Sequence, residues 1–121
     1  MDYDPNRPIY LQVMQALTID IITGKRPPGD KLPGGRELAG TFSINPNTAA
    51  RVYQELERKG LCETRRGLGT FVTADPERIR RAREEMAAEA VRHFLREMET
   101  LGISQEEARQ LIRKQEETND A

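Results

Sequence analysis

Proline and glycine punctuate the first half of this chain so closely that neither a long helix nor a long strand fits there. Gly24 precedes Pro27-Pro28-Gly29-Asp30, Leu32-Pro33-Gly34-Gly35 follows at once, Asn45-Pro46 interrupts again, and Gly60, Gly67 and Gly69 divide the remainder. Proline fixes φ and lacks an N–H, and glycine ends helices in the left-handed region, so each of these points closes one element and opens another. The elements between them must be short, and none can bury its apolar side chains alone.

The apolar spacing says what those elements are. Ile9, Val13, Leu17 and Ile21 recur every fourth residue, with Tyr10, Met14 and Ile22 beside them, which makes one face of a helix ending at Gly24. Tyr3 to Pro8 reads as an extended lead-in, and Pro27 to Asp30 as a turn. A short segment, Arg36 to Thr41, turns Leu38, Ala39 and Phe42 inward before Ser43-Ile44-Asn45 breaks it. Asn45-Pro46 is a strong helix start, because Asn accepts orphan backbone N–H groups and Pro at the first helical position loses no bond. This helix runs to Lys59, with Ala49, Val52, Tyr53 and Leu56 on one face and Asn47, Arg51, Gln54, Glu55 and Arg58 on the other. A short helix, a tight turn and a second amphipathic helix form a helix-turn-helix. Two β-prone runs, Leu61 to Thr64 and Thr70 to Thr73, then flank the basic loop Arg65-Arg66-Gly67-Leu68-Gly69 and predict a hairpin, the wing of a winged helix.

A new helix opens at Asp75-Pro76-Glu77, with an apolar stripe of Ile79, Ala82, Met86, Ala90, Phe94, Met98 and Leu101. Gly102 ends it. Ser104 with Glu107 fits a capping box for a last helix carrying Ala108, Leu111 and Ile112, and Glu116 to Ala121 reads as a frayed polar tail. The expected architecture is mostly α with a small β-hairpin: a winged helix over 1–74 and a two-helix region over 75–121.

Composition narrows the function. With 121 residues, no Trp and 36% hydrophobic residues, such a chain buries only about two-thirds of its unfolded surface, which leaves little room for a deep pocket. One cysteine excludes an intramolecular disulfide framework, and one histidine leaves little for metal binding or imidazole chemistry. There is no phosphate-binding glycine motif, catalytic triad or metal-ligand cluster. No apolar run approaches the roughly 20 residues of a membrane span, and the acidic, polar start MDYDPNRP is no secretory signal. The expectation is a soluble, cytoplasmic protein that is not an enzyme and needs no cofactor. Net charge is −1, but residues 1–74 carry 10 Lys/Arg against 8 Asp/Glu, while 75–121 carry 9 against 12. That split suits a mildly basic working surface joined to an acidic module with another task.

Several segments taken in order resemble the winged-helix domain of the GntR family of bacterial transcription regulators. They are Pro8-Ile9-Tyr10-Leu11-Gln12, Pro28-Gly29-Asp30-Lys31-Leu32-Pro33, Arg36-Glu37-Leu38-Ala39, Asn45-Pro46-Asn47-Thr48, Tyr53-Gln54-Glu55-Leu56-Glu57, Gly60-Leu61 and Arg66-Gly67-Leu68-Gly69-Thr70-Phe71-Val72. The Asn-Pro-Asn-Thr run and the short helical C-terminus further resemble the YtrA-like subfamily, in which such a tail serves dimerisation. Family members usually place Ser or Ala where this chain has Gly34-Gly35, so a phosphate contact from a hydroxyl there is lost. Pro46 stands where other branches carry an Arg, which shifts base reading onto Asn47, Thr48 and Arg51.

The resemblance implies that the second helix of the motif enters a major groove with its N-terminal residues against base edges. There Asn47 could bond adenine, Arg51 guanine, and Thr48 a phosphate or thymine methyl; the bland alternative is that Asn47 and Thr48 only complete the helix cap. Arg36 would meet phosphate, or else pair with Glu37 or Glu55. Arg65, Arg66 and Gly67 would enter a minor groove at the wing, or form a solvated hairpin tip. Lys31 and Arg58 are weaker candidates. Tyr10 and Tyr53 read as core residues, Cys62 as a small core or edge residue, and His93 as a surface or interface residue. The stripe of Ile79, Met86, Ala90, Phe94, Met98 and Leu101 is too broad to leave wet and too small for a core of its own, so it either meets a second copy or folds back onto the winged helix. An isologous dimer would read an inverted repeat in double-stranded DNA. The expected function is a homodimeric, sequence-specific transcription regulator, most simply a repressor; a sensor of an unidentified small-molecule effector is a third, weaker reading. The rival reading is a winged helix used for protein–protein assembly.

Overall fold

The computed structural model describes residues 1–119. Five helices and a two-stranded antiparallel hairpin follow one another: α1 (Ile9–Ile22), α2 (Gly35–Phe42), α3 (Pro46–Arg58), β1 (Cys62–Arg65), β2 (Gly69–Val72), α4 (Pro76–Thr100) and α5 (Gln105–Asn119). The fold is mostly α with a small β-hairpin, as the punctuation requires.

Caps form where the sequence places them. The Asn45 side chain accepts the Asn47 N–H at 2.8 Å, and Pro46 is the first residue of α3. Gly60 takes φ +77, which lets the Leu61 N–H reach the Leu56 carbonyl at 3.0 Å and closes α3. α2 ends differently, on Ser43 at φ +54, with the Ile44 N–H on the Ala39 carbonyl. The Gly34 cap makes no side-chain bond.

Two features depart from the sequence reading. The lead-in is not simply extended: the Arg7 N–H turns back to the Asp4 carbonyl, and buried Gln12 clamps it. Gln12 donates to the Asp4 and Arg7 carbonyls and accepts the Asp4 N–H at 2.8 Å. The segment after Pro27-Pro28 is more than a turn. Asp30 to Leu32 lies along β2, with Leu32 N–H on the Thr70 carbonyl at 2.7 Å and Val72 N–H on the Asp30 carbonyl at 2.8 Å. The hairpin therefore gains a short third member on its β2 edge.

The core consists of Val13, Met14, Leu17 and Ile21 from α1, Leu38 and Ala39 from α2, and Ala49, Val52, Tyr53 and Leu56 from α3, closed by Leu32, Leu61, Cys62 and Val72. Ile79 and Ala82, on the first turns of α4, pack half-buried against it. Ile79, which the sequence reading placed on the dimer stripe, lies within the first compact unit, which runs to Arg83, and packs half-buried on that unit's core.

The second unit begins at Glu84 and comprises the rest of α4, the turn at Gly102 (φ +74) and α5. The Ser104 hydroxyl accepts the Glu107 N–H at 3.1 Å, the expected cap. Ala108 is the only fully buried side chain of its described residues. Residues 116–119, expected to fray, complete α5, while Asp120 and Ala121 of that expected tail lie outside the described residues. Among the described residues no helix is long and apolar enough to cross a membrane.

Candidate nucleic-acid interface

The first two turns of α3 present Asn47, Thr48 and Arg51. Capping is done by the Asn45 side chain, so Asn47 contributes only its backbone N–H to it. Its amide, like the Thr48 hydroxyl, has no hydrogen-bond partner among the described residues; Asn47 is exposed and Thr48 half-buried. Arg51 is exposed, and its guanidinium carbon lies 3.7 Å over the centre of the Tyr10 ring. Tyr10 itself packs half-buried on the core, as the sequence reading expected, but this second contact of its ring left no trace in the periodicity.

Farther along α3 one opposite-charge pair forms within the helix. Arg58 pairs with Glu55 at 2.7 Å, which removes Arg58 as a free cation and Glu55 as a partner for Arg36. Glu57 reaches the Thr64 hydroxyl at 3.4 Å, linking α3 to the wing. Arg36, the second residue of α2, is exposed and has no ion pair among the described residues. Among the described residues no hydrogen bond or ion pair ties it to the side chains of α3 named above.

At the wing, β1 pairs with β2 in the register Cys62↔Val72, Glu63↔Phe71, Thr64↔Thr70 and Arg65↔Gly69. Arg65 therefore ends a strand rather than sitting in the loop. Residues two apart in a strand share a face, and Arg65 bonds Glu63 at 2.8 Å and lies 4.4 Å over the Phe71 ring. The tip is Arg66-Gly67-Leu68, closed by the Leu68 N–H on the Arg65 carbonyl at 2.9 Å with Gly67 at φ +78. Arg66 projects there without a partner among the described residues, beside exposed Leu68. The Lys31 side chain lies against the tip end of β2: a Cβ on Gly69 would meet Lys31 Cε at 2.8 Å, and Gly69 also has φ +120. The backbone conformation favours glycine at that position, whereas the flexible end of the Lys31 side chain can swing aside; the sequence named that neighbouring cation only as a weak candidate.

Cys62 and Tyr53 belong to the core rather than to this surface. Burial, with Glu57 and Glu63 nearby, pushes the Cys62 thiol up to about 12, so it is not a reactive thiolate at neutral pH. The Tyr53 hydroxyl donates to the Pro33 carbonyl, fastening α3 to the segment that precedes α2.

This arrangement offers an unsatisfied amide and hydroxyl at a helix N-terminus, an oriented guanidinium one turn on, and an unpaired arginine at the tip of a glycine-containing hairpin. Amide and guanidinium groups are those that read base edges, and a cationic tip suits a phosphate-lined groove. The model of bacterial regulatory proteins of the gntR family matches residues 9–72. The HTH-type transcriptional regulator YhcF of Bacillus subtilis is 38% identical over 105 residues, 87% of each chain. The HTH-type transcriptional repressor YtrA of the same bacterium is 45% identical over 73 residues, 60% of this chain and 56% of that one. Among solved structures, a GntR family transcriptional regulator from Listeria monocytogenes superposes with a TM-score of 0.84 at 37% identity, covering 93% of this chain and 98% of the other. The DNA-binding domain of AraR in complex with operator ORX1 aligns with a TM-score of 0.56 at 30% identity, over 60% of this chain and 93% of that domain.

Proposed function

The chain belongs to the GntR family of bacterial regulatory proteins, and from that premise we propose that it is a cytoplasmic repressor that binds an inverted-repeat operator as a homodimer. The observation that carries the reading is the N-terminal end of α3. Asn47 and Thr48 keep their side-chain polar groups unused because Asn45 does the capping, and Arg51 follows one turn later without a carboxylate partner. Bidentate contacts from Asn to adenine and from Arg to guanine are each worth about 1–3 kcal/mol of discrimination. Arg36 and Arg66 supply phosphate and minor-groove contacts, and Gly67 lets the wing tip approach the backbone closely. Arg65, bonded to Glu63 and stacked on Phe71, supports the wing and contributes a partly neutralised charge. Two copies joined through Met86, Ala90, Phe94, Met98 and Leu101 would present two α3 helices to successive major grooves.

Bound sites selected from a random duplex pool, followed by fluorescence anisotropy over a range of salt, test this reading. Affinity should fall steeply with salt. Arg51→Ala should erase preference at one base pair per half-site at a cost of about 1–3 kcal/mol, whereas Arg66→Ala should weaken all sequences alike and reduce the salt slope by about 1. Salt-independent or sequence-blind binding would overturn it in favour of a protein-assembly role.

A further inference from the structure

We propose that Tyr10 is a positioning residue for base readout: its ring, at the start of α1, holds the Arg51 guanidinium of α3 in a preset orientation for the major groove. The inference rests on Arg51 being a reading residue, as proposed above. It goes beyond that reading by assigning a specificity role to a side chain on another helix.

The contact is close, with the guanidinium carbon 3.7 Å over the ring centroid. Glu55, one turn along α3, is held by Arg58 at 2.7 Å, and among the described residues Arg51 has no ion pair. The ring is itself anchored. Tyr10 packs half-buried on the core, two residues before Gln12, whose bonds to Asp4 and Arg7 pin the start of α1. Arg51 thus rests on a platform that belongs to the fold rather than on a second mobile side chain. Guanidinium presents its N–H donors around the edge of a plane, so contact through its face leaves edge donors available to a guanine. A free arginine must be immobilised on meeting a base, and prior contact with the ring removes part of that entropic cost. The contact also sets where the donors point, and therefore which base pair is read.

The test is a double-mutant cycle on the full-length protein, using the duplex selected by the wild type and its single-base-pair variants. Tyr10→Leu should weaken binding to the selected duplex by about three- to tenfold. Its discrimination should fall at the same base pair where Arg51→Ala loses it, with the salt slope unchanged. Tyr10→Phe, which keeps the ring, should stay within about twofold of wild type. In the Arg51→Ala background, Tyr10→Leu should cost nothing further. Should Tyr10→Leu prove unfolded at the assay temperature, Tyr10→Met, which keeps an apolar side chain of comparable length, carries the same comparison. Equal losses from Tyr10→Leu with and without Arg51, or no loss while Arg51→Ala abolishes discrimination, would overturn the positioning role and leave the DNA reading standing. Unchanged discrimination in Arg51→Ala alone would overturn both, and so separates the two failures.

Discussion

Tyr53 and Cys62 meet where α3 gives way to β1, the thiol sulphur 3.8 Å from the Tyr53 carbonyl oxygen, and burial pushes both ionisations up to about 12. Each pKa is raised in the folded state from an ordinary value of 10.0 for Tyr53 and 9.0 for Cys62. The fold therefore favours the neutral form of both. Their contribution is fully present below about pH 9 and is lost as pH rises from there towards 12, by up to about 1.4 kcal/mol per pH unit for each group. Urea unfolding midpoints should hold steady from pH 7 to 8.5 and then fall, and Cys62→Ala should flatten the early part of that fall. Iodoacetamide should label Cys62 only in denaturant. The core place of Tyr53 was legible from apolar spacing, whereas Cys62 fitted core or edge alike and the structure buries it. The pairing of Arg65 with Glu63 was not, because it depends on the strand running one residue beyond Thr64, and only the register with β2 determines that.

At the scale of elements, α3 owes its start to a single side chain. Removing an Asn cap costs about 1 kcal/mol. Asn45→Ala should therefore lower the melting temperature of the winged helix by about 4 °C or more, and Asn45→Asp should retain most of it. A circular-dichroism melt distinguishes the two. This cap, the glycine stop at Gly60 and the Asp75 and Ser104 starts were all readable, since each involves residues within one helical turn. The strand-like pairing of Asp30 to Leu32 with Thr70 and Val72 was not. Its local sequence, Pro27-Pro28-Gly29-Asp30, carries turn chemistry, and nothing local announces that the following residues will find an edge some forty positions away. Lys31 reached the wing, beside Gly69, through that pairing, which is why sequence alone ranked it low.

At the scale of the molecule, the two units are stabilised differently. Except for Ala108, every buried apolar residue among the described ones lies between Val13 and Val72. The second unit leaves Val91 56% and Leu101 67% exposed, along with Leu111 and Ile112. That much exposed apolar surface on two helices is the setting for the proposed dimer. Phe94→Asp or Met98→Asp should shift sedimentation from dimer to monomer. Operator affinity should fall by far more than a single lost contact explains, because two half-sites would no longer be bound by one particle. The first unit should keep its melting transition. An unaltered dimer would place the interface elsewhere. The apolar periodicity of α4 was legible in the sequence; that of Ile79 fits either a dimer face or the first unit's core.

The sequence by itself determined the number of elements, their caps, the helix-turn-helix and its wing, and the membership that the ordered motifs of residues 8–73 announce. All of these follow from interactions within a few residues or from patterns with a fixed period. Tertiary structure alone decided that Gln12 clamps the lead-in, that Asp30 to Leu32 joins β2, that Ile79 packs on the first unit's core, and that Arg51 rests on Tyr10. Each of these joins side chains or edges brought together by packing, and a one-dimensional pattern records which face a residue occupies but not which distant neighbour completes that face. The closely spaced prolines and glycines forced short elements; the core they share then placed one helix's aromatic ring beneath another helix's arginine.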